Sequence, residues 1–259
     1  MHKAVMTPPD IFNRSARRKQ RARMLRYGPD DRWIIGRMAD DLIGRLDAVR
    51  RPFRRALILG GDFETMRPLL EQRGISCVLA EASPYVAQAF NGVVCDEDRL
   101  AFADHSFDLV IAIGSLDTVT DLPGAFTLIH RLLEEGGLFL GAMIGAGSLP
   151  VLRSCMQDPG GDRETTMRFH PQIDVRGAGD LLARARFQLP VADSETISVR
   201  YRTFGRLIDD LRANGLTNVL SHRTPLTKSF VASIERQFEA PALEEFSIIT
   251  LTGWARAVK

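Results

Sequence analysis

The sequence predicts an α/β protein built on a mostly parallel sheet, and two observations carry this prediction. A short apolar run at 56–59 leads directly into Gly60 and Gly61, and such a run bounded by glycines is typical of a strand buried on both faces. Further apolar runs follow, with helical patterns between them. Strands that alternate with helices predict βαβ units and a parallel sheet with helices on both faces. The strands are predicted at 56–60, 75–82, 92–95, 107–114 and 138–144, and the intervening helices at 64–73 and 121–133.

The segments on either side of this alternation are more irregular. A basic helix is predicted at 11–25 and an amphipathic helix at 33–49, because apolar residues recur there at helical spacing. After residue 146 the pattern breaks into a polar stretch, a helix at 174–185, a short strand at 198–201, a helix at 203–214 and one more helix. A last strand covers 246–256. We therefore divide the chain into N-terminal helices (1–50), a ligand-binding core (51–146), an accessory or substrate insertion (147–242) and a closing strand (243–259).

The carboxyl ends of the first two strands indicate a ligand site. Ligands of open α/β sheets bind at this edge, and Gly60 and Gly61 allow a sharp turn and a close approach to the main chain. Glu81 ends the second strand, where a carboxylate is placed to accept two hydrogen bonds from ribose hydroxyls. The alternative is a buried acid that pairs with another protein group.

Bulk composition excludes several classes of protein. The chain has 259 residues, of which 45% are hydrophobic and 25% charged, as in ordinary globular proteins. No apolar run approaches the length of a transmembrane helix. Three widely spaced cysteines (Cys77, Cys95 and Cys155) indicate a reducing compartment, so we expect a cytoplasmic protein. No cluster of His and Cys is legible, so no metal is predicted.

Positive charge is concentrated at the N-terminus. Residues 1–26 hold eight basic side chains and Asp10, so they carry +7 and the other residues −5 of the overall +2. The segment lacks the serines and apolar face of a transit peptide, and it lacks the interleaved aromatics of a nucleic-acid site. The remaining alternatives are a solvated helix, a lid over the cofactor, or a docking surface. We expect part of it to await an acidic ligand or partner, with Phe12 anchoring the helix near the cleft.

The order of these landmarks resembles the class I S-adenosylmethionine-dependent methyltransferase fold. The resemblance implies a Rossmann-like sheet, mostly parallel with an antiparallel last strand, and S-adenosylmethionine as cofactor. Asp62 and Glu64 stand where that family has its second and third glycines, and Ile58 replaces its acidic residue. One acid of 96–98 is expected at the adenine and the others in solvent. The implied cofactor-binding residues are Gly60, Gly61, Asp62, Glu81, Ala82, Asp96, Glu97, Ser115 and Leu116.

Four further stretches resemble one subfamily of this fold across nearly the whole chain: IFNRSARRKQR, GAGSLPVLR, RFHPQIDVRGAGDLLARARF and LTGWA. That subfamily includes respiratory complex I assembly factors that hydroxylate an arginine; the malonyl-carrier-protein methyltransferases are more distant. The resemblance implies that Arg153, Asp174 and Arg176 face the substrate. Asp117 and His170 are the candidate catalytic residues, although a lone histidine is more often a structural hydrogen-bonding group.

Three functions remain open at this stage. The first is a methyltransferase acting on a protein or small-molecule acceptor. The second is a cofactor-binding hydroxylase or assembly factor for a respiratory-complex subunit. The third is a degenerate fold used for binding only, which the altered glycine loop favours.

Overall fold

A single seven-stranded sheet forms the centre of the protein. The computed structural model describes residues 10–61, 63–156, 168–223 and 225–256. The strand order within this part is β3-β2-β1-β4-β5-β7-β6. The strands are β1 (Arg55–Leu59), β2 (Ser76–Glu81), β3 (Val93–Val94), β4 (Phe107–Ile113), β5 (Leu133–Ile144), β6 (Gln188–Tyr201) and β7 (Ala242–Trp254).

Strand pairing confirms the predicted sheet. β1 pairs in parallel with β2 and β4, and β4 pairs in parallel with β5. β7 runs antiparallel to β5, and β6 runs antiparallel to β7. The sheet is therefore mostly parallel, and β7, the last strand in the chain, runs antiparallel to both of its neighbours.

The observed β6 is much longer than the predicted strand at 198–201. Eight of its first ten residues pair with β7, although most of the ten are exposed. An edge strand has only one neighbour, so its side chains need not form the apolar pattern that marks a buried strand. The 14 residues of β6, which were assigned to the accessory insertion, thus belong to the sheet.

Helices cover both faces of the sheet. Successive residues of β1 point to opposite sides, with Ile58 in one buried cluster and Leu57 in the other. α2, α3, α4, α8 and α9 contribute to the first cluster, and α5 and α7 to the second. The helices are α1 (Arg14–Met24), α2 (Trp33–Asp47), α3 (Phe63–Gln72), α4 (Pro84–Ala89), α5 (Leu122–Leu132), α6 (Pro150–Met156), α7 (Val175–Arg184), α8 (Phe204–Ala213) and α9 (Lys228–Gln237).

Two helix N-termini are capped by side chains from distant parts of the chain. Asn214 Oδ1 accepts hydrogen bonds from the backbone N–H groups of Ile34 (3.0 Å) and Ile35 (3.3 Å) at the start of α2. The buried carboxylate of Glu244 on β7 accepts from the N–H groups of Val151 (3.3 Å) and Leu152 (2.5 Å) in α6. These contacts satisfy donors that a helix leaves unpaired, and they fasten the accessory helices to the core.

The three cysteines are free thiols. Burial, with neighbouring carboxylates, raises the pKa of Cys77 to about 11 and that of Cys95 to about 12. Thiols with such pKa values are largely protonated at neutral pH and react slowly. Among the helices that the structure describes, none is long and apolar enough to cross a membrane.

Candidate functional site

The turn after β1 requires glycine at two successive positions. Gly60 and Gly61 have φ values of +62° and +83°, which L side chains rarely adopt. A Cβ on Gly60 would lie 2.6 Å from Ser115 Cβ, and one on Gly61 would lie 2.4 Å from Ile113 Cβ. The turn is therefore packed against the end of β4, and no side chain of its own covers its main chain. Asp62, predicted to be part of this loop, lies outside the described residues.

Glu81 ends β2 beside this turn and is paired with a guanidinium. Its carboxylate is 1% exposed. Arg21 Nη2 lies 2.6 Å from Oε2, and Arg21 Nε lies 3.2 and 3.1 Å from the two oxygens. Oε1 also accepts the backbone N–H of Ser83 at 3.0 Å, and Ala82 between them is buried. The hydrogen-bonding capacity expected for ribose is thus filled by Arg21.

The acidic run after β3 is paired in the same way. Arg17 Nη2 lies 2.8 Å from each carboxylate oxygen of Glu97, and Arg17 Nη1 lies 3.5 Å from Asp96 Oδ1. Arg14 donates two hydrogen bonds to Asp98, at 2.9 and 2.8 Å, and Arg18 reaches Asp96 at 3.3 Å. The expectation that some of these acids are solvated is wrong, because all three are held in ion pairs.

These ion pairs change the acidity of two carboxyl groups. Burial raises the pKa of Glu97, but the charge and hydrogen bond of Arg17 outweigh burial, so its pKa lies below the ordinary value. Burial likewise opposes the effect of Arg14 on Asp98, whose pKa is also lowered. Both groups are therefore ionised at neutral pH.

Helix α1 consequently lies across the carboxyl ends of the strands. Arg17 and Arg21 are 3% and 5% exposed. Besides the carboxylates, Arg17 donates to Thr118 Oγ1 and to the Ser115 carbonyl, each at 2.9 Å, and Arg21 donates to the Gly114 carbonyl at 3.2 Å. The expectation of a basic helix awaiting an acidic ligand is wrong for Arg14, Arg17, Arg18 and Arg21, since acids of the body already bind them.

The residue types of this cleft fit the adenosyl part of a nucleoside cofactor. Glu81 ends β2, and the acids of 96–98 follow β3. The main chain of Gly60 and Gly61, which no side chain of the turn covers, lies at the end of the neighbouring strand β1. In the observed arrangement, however, guanidinium groups take the hydrogen-bonding positions on Glu81 and Glu97. Arg21 and the Ser83 N–H group together bond both oxygens of Glu81, so a ribose would compete with Arg21 for this carboxylate.

A cavity of about 550 Å³ lies next to the cleft. It is lined by residues of α6 and α8, of the ends of β5 and β7, and of the segments 168–172, 216–223 and 225–226. Its walls are largely apolar, and its polar lining includes Arg153, His170 and Gln172. Apolar side chains on its walls include Leu149, Leu152, Met156, Ile208, Leu211 and Phe246.

Asp117 lies on the wall of two cavities. It lines both the 550 Å³ cavity and a smaller one of about 310 Å³, which Phe12 and the buried Leu116 also line. Asp117 follows Ser115 and Leu116 directly, in the loop to which Arg17 is bound. Its Oδ1 atom is buried and has no hydrogen-bond partner among the residues that the structure describes. Burial raises the pKa of Asp117 to about 6, although the charge of Arg17 opposes this shift.

His170 lines the same cavity, where a backbone N–H group and an aromatic ring contact it. His170 Nε2 accepts the backbone N–H of Val219 at 2.9 Å, and its ring packs edge-on against Phe12 at 5.2 Å between centroids. Burial lowers the pKa of His170 to about 4. The ring is therefore neutral, and the lone pair that a base would use is engaged.

The other two residues predicted to face the substrate lie elsewhere. Asp174 caps α7, with Oδ1 accepting the Gly177 N–H at 2.7 Å, and Arg176 is exposed on the same helix. Neither is among the residues that line the two cavities. Within the described ranges, no three His, Cys, Asp or Glu side chains lie close enough together to hold a metal ion.

Sequence reasoning missed Arg17, Arg21 and Thr118 as parts of the cleft. A signal was present in the charge distribution, because a strongly basic segment and a negatively charged body attract each other. Charge alone does not say which arginine meets which acid, since that depends on where α1 docks.

Comparison with known proteins agrees with the fold. Residues 59–141 match the model of a methyltransferase domain. The YcgJ protein of Bacillus subtilis has a similar structure, with a TM-score of 0.57 and 15% identity over 84% of this chain and 98% of that one. A sheet of this order with a glycine turn and a carboxylate at the ends of β1 and β2 defines a Rossmann-like methyltransferase fold.

Two relatives extend the likeness beyond the core. The arginine-hydroxylase NDUFAF5 of Mus musculus is 29% identical over 95% of this chain and 77% of its own length. The malonyl-[acyl-carrier protein] O-methyltransferase of Halorhodospira halophila is 30% identical over 82% of this chain and 76% of its own. With several other NDUFAF5 relatives, the match spans about half their length. The chain belongs to the class I S-adenosylmethionine-dependent methyltransferases, a family of enzymes whose cofactor is S-adenosylmethionine.

Proposed function

We propose that this chain transfers a methyl group from S-adenosylmethionine to an acceptor bound in the 550 Å³ cavity. The observation that carries the proposal is the position of Asp117. Its Oδ1 atom is buried without a hydrogen-bond partner among the described residues, and Asp117 lines the cavity from the loop to which Arg17 is bound. A carboxylate on the wall of an acceptor cavity is placed to receive a proton from the acceptor.

The cofactor supplies a methyl group that is already activated on a sulfonium. The chain must therefore hold and align the reactants, which accounts for a large share of the rate in such reactions. Glu81 would accept the ribose hydroxyl hydrogens, and Asp96 or Glu97 the adenine amino hydrogens. Gly60 and Gly61 would allow the methionine part to approach the main chain, and Ser115 and Leu116 would form the wall next to Asp117.

Asp117 would act as the general base. At neutral pH a carboxyl with a pKa of about 6 is mostly ionised, yet basic enough to take a proton as the bond to carbon forms. The cofactor would supply the methyl group and leave as the neutral thioether S-adenosylhomocysteine, while the acceptor heteroatom would give its proton to Asp117 Oδ1, which releases it to water.

Cofactor binding would require α1 to rearrange. Arg21 must leave Glu81 before a ribose can take its place, and Arg17 must move for an adenine to reach Glu97. The bound form would lack the pair between Arg21 and Glu81. The apparent affinity would therefore be the intrinsic affinity multiplied by the fraction of free molecules in which this pair is already open. Calorimetric titration of the full chain with S-adenosylmethionine tests this function first, and absence of binding would favour a binding-only role for the fold.

A second function is supported by the likeness to the NDUFAF5 arginine-hydroxylase, which extends over 95% of this chain. In this alternative the partner is a respiratory-complex subunit and the product is a hydroxylated arginine. Mass spectrometry of the reacted acceptor separates the two functions, because methylation adds CH2 and hydroxylation adds one oxygen atom. An acceptor that gains oxygen in the presence of the protein would contradict methyl transfer.

A further inference from the structure

The 550 Å³ cavity combines apolar walls with an excess of positive charge. Its lining holds five arginines but, among the residues described, Asp117 is the only acidic one. A volume of this size is in the range of small-molecule pockets, about 300–1,000 Å³. The arginines on its lining are Arg23, Arg153, Arg168, Arg212 and Arg223.

Arg153 is held in place by two uncharged hydrogen-bond acceptors. Its Nε donates to the Ser148 carbonyl at 2.9 Å and its Nη2 to Gln172 Oε1 at 2.7 Å. Its guanidinium carbon lies 4.4 Å from the centre of the Phe169 ring. Both hydrogen-bond acceptors are uncharged, and in the described part of the chain no carboxylate lies within ion-pair distance of Arg153. The positive charge is therefore fixed in place without an ion-pair partner in the described residues, although the charge of Glu244, which caps α6, acts on it from beyond ion-pair distance.

Among the described residues, no acceptor is hydrogen-bonded to Nη1 of Arg153. Burial lowers the pKa of this guanidinium, which shows that its charged form is less well solvated than in water. An anion is the group that relieves such a charge, and hydrogen bonds between a guanidinium and a carboxylate are among the stronger ones in proteins. The apolar walls require that the rest of the ligand be hydrophobic.

Resting on the proposed function, we infer that the cavity binds a small hydrophobic carboxylate, held at its anionic end by Arg153. A guanidinium acceptor is disfavoured, because the Arg153 guanidinium would repel it. Gln172 joins Arg153 to the region of Asp117, since it accepts from Arg153 and lines both cavities with Asp117. The carboxylate thus anchors the ligand, and a nucleophilic group elsewhere on it is the one placed for methylation.

Three ligands with the same alkyl chain test this inference on the full protein without cofactor. Dodecanoate, dodecanol and dodecyltrimethylammonium are titrated by calorimetry below their aggregation thresholds. We expect dodecanoate to bind at least tenfold more tightly than the other two. Equal binding of all three, or preference for the ammonium compound, would overturn the inference.

Variants of Arg153 locate the anion. Arg153→Met should weaken dodecanoate binding by about 10- to 100-fold, the range expected for a lost hydrogen bond to a charged group, and Arg153→Lys should weaken it less. Arg184→Met is the matched control, because Arg184 is exposed on α7 outside the cavity. Unchanged binding in Arg153→Met would overturn the assignment; if that variant does not fold, the ligand preference of the parent and Arg153→Lys still decide it.

Separate titration with S-adenosylmethionine distinguishes the two proposals. Cofactor binding without dodecanoate selectivity would leave methyl transfer standing and remove the carboxylate site. Dodecanoate selectivity without cofactor binding would support the site and contradict the function proposed for it.

Discussion

At the scale of single residues, Asp117 is the side chain on which the proposed chemistry depends. Asp117→Asn keeps the shape but cannot take a proton, so we expect the rate of methyl transfer to fall by about 10²- to 10⁴-fold. In the parent enzyme the rate should decline as pH falls below about 6, because protonation of Asp117 removes the base. Single-turnover rates measured from pH 5 to pH 8 check both.

The control for Asp117 is the neighbouring cavity residue His170. Since His170 Nε2 is engaged by the Val219 N–H, His170→Gln should leave the pH profile of the rate unchanged even if affinity changes. A profile that loses its acidic limb in His170→Gln, but keeps it in Asp117→Asn, would exchange the two roles.

Glu81 and Arg21 give a second prediction at this scale. Glu81→Gln should weaken S-adenosylmethionine binding by about 1–3 kcal/mol, because a neutral amide makes weaker hydrogen bonds to ribose than a carboxylate does. Arg21→Met should instead tighten binding by about tenfold, because it removes the group that competes for Glu81 and raises the open fraction. Calorimetry measures both affinities.

Arg37→Met serves as the control for Arg21, since Arg37 pairs with Glu195 on the exposed surface. If Arg21→Met weakens cofactor binding as much as Glu81→Gln does, Arg21 is part of the bound site and the competition is refuted.

At the scale of elements, α1 is held to the core mainly by ion pairs. The lowered pKa values of Glu97 and Asp98 mean that their contribution to the free energy of docking is present at neutral pH. This contribution is fully present at pH values above the ordinary carboxyl pKa of about 4. It is lost as the pH falls through the lowered pKa values of the two groups. Acidification should therefore release α1.

Neutral variants test the same contacts without a change of pH. Glu97→Gln combined with Asp98→Asn should raise hydrogen-exchange rates of the α1 amides by at least about tenfold, because local opening needs less free energy. The amides of α2 should not change, and Asp209→Asn, at an exposed pair with Arg212, should have no effect on α1. Unchanged protection of α1 in the double variant would show that apolar contacts, such as those of Met24, hold the helix.

At the scale of the whole molecule, a buried acid joins the accessory helices to the core. Asp210 Oδ2 on α8 accepts from Tyr201 Oη of β6 at 2.9 Å and from Trp33 Nε1 of α2 at 3.0 Å. Tyr201→Phe should lower the free energy of unfolding by about 1–3 kcal/mol, the value of a hydrogen bond to a charged group. Thermal and urea unfolding measure it, and Tyr85→Phe, at a largely exposed site, is the control. A loss no greater than in the control would mean that Trp33 and Arg206 satisfy Asp210 without Tyr201.

The sequence alone determined the βαβ core, the glycine turn at Gly60 and Gly61 and the position of Glu81 at a strand end. These features are local, because each can be recognised from a short stretch of sequence. They are an apolar run, a turn that needs positive φ, and an acid at the end of the next apolar run. Asp117 was likewise placed in the loop after β4, although its neighbours were not known.

Only the tertiary structure decided which groups meet. The pairing of Arg21 with Glu81 spans 60 residues, the capping of α2 by Asn214 spans 180, and most of β6 is recognisable only through its pairing with β7. Such contacts depend on how helices and an edge strand dock against the sheet, and their energies depend on burial that no local pattern encodes. For the same reason, the ion pairs that hold α1 across the carboxyl ends of the strands could not be predicted from either segment by itself.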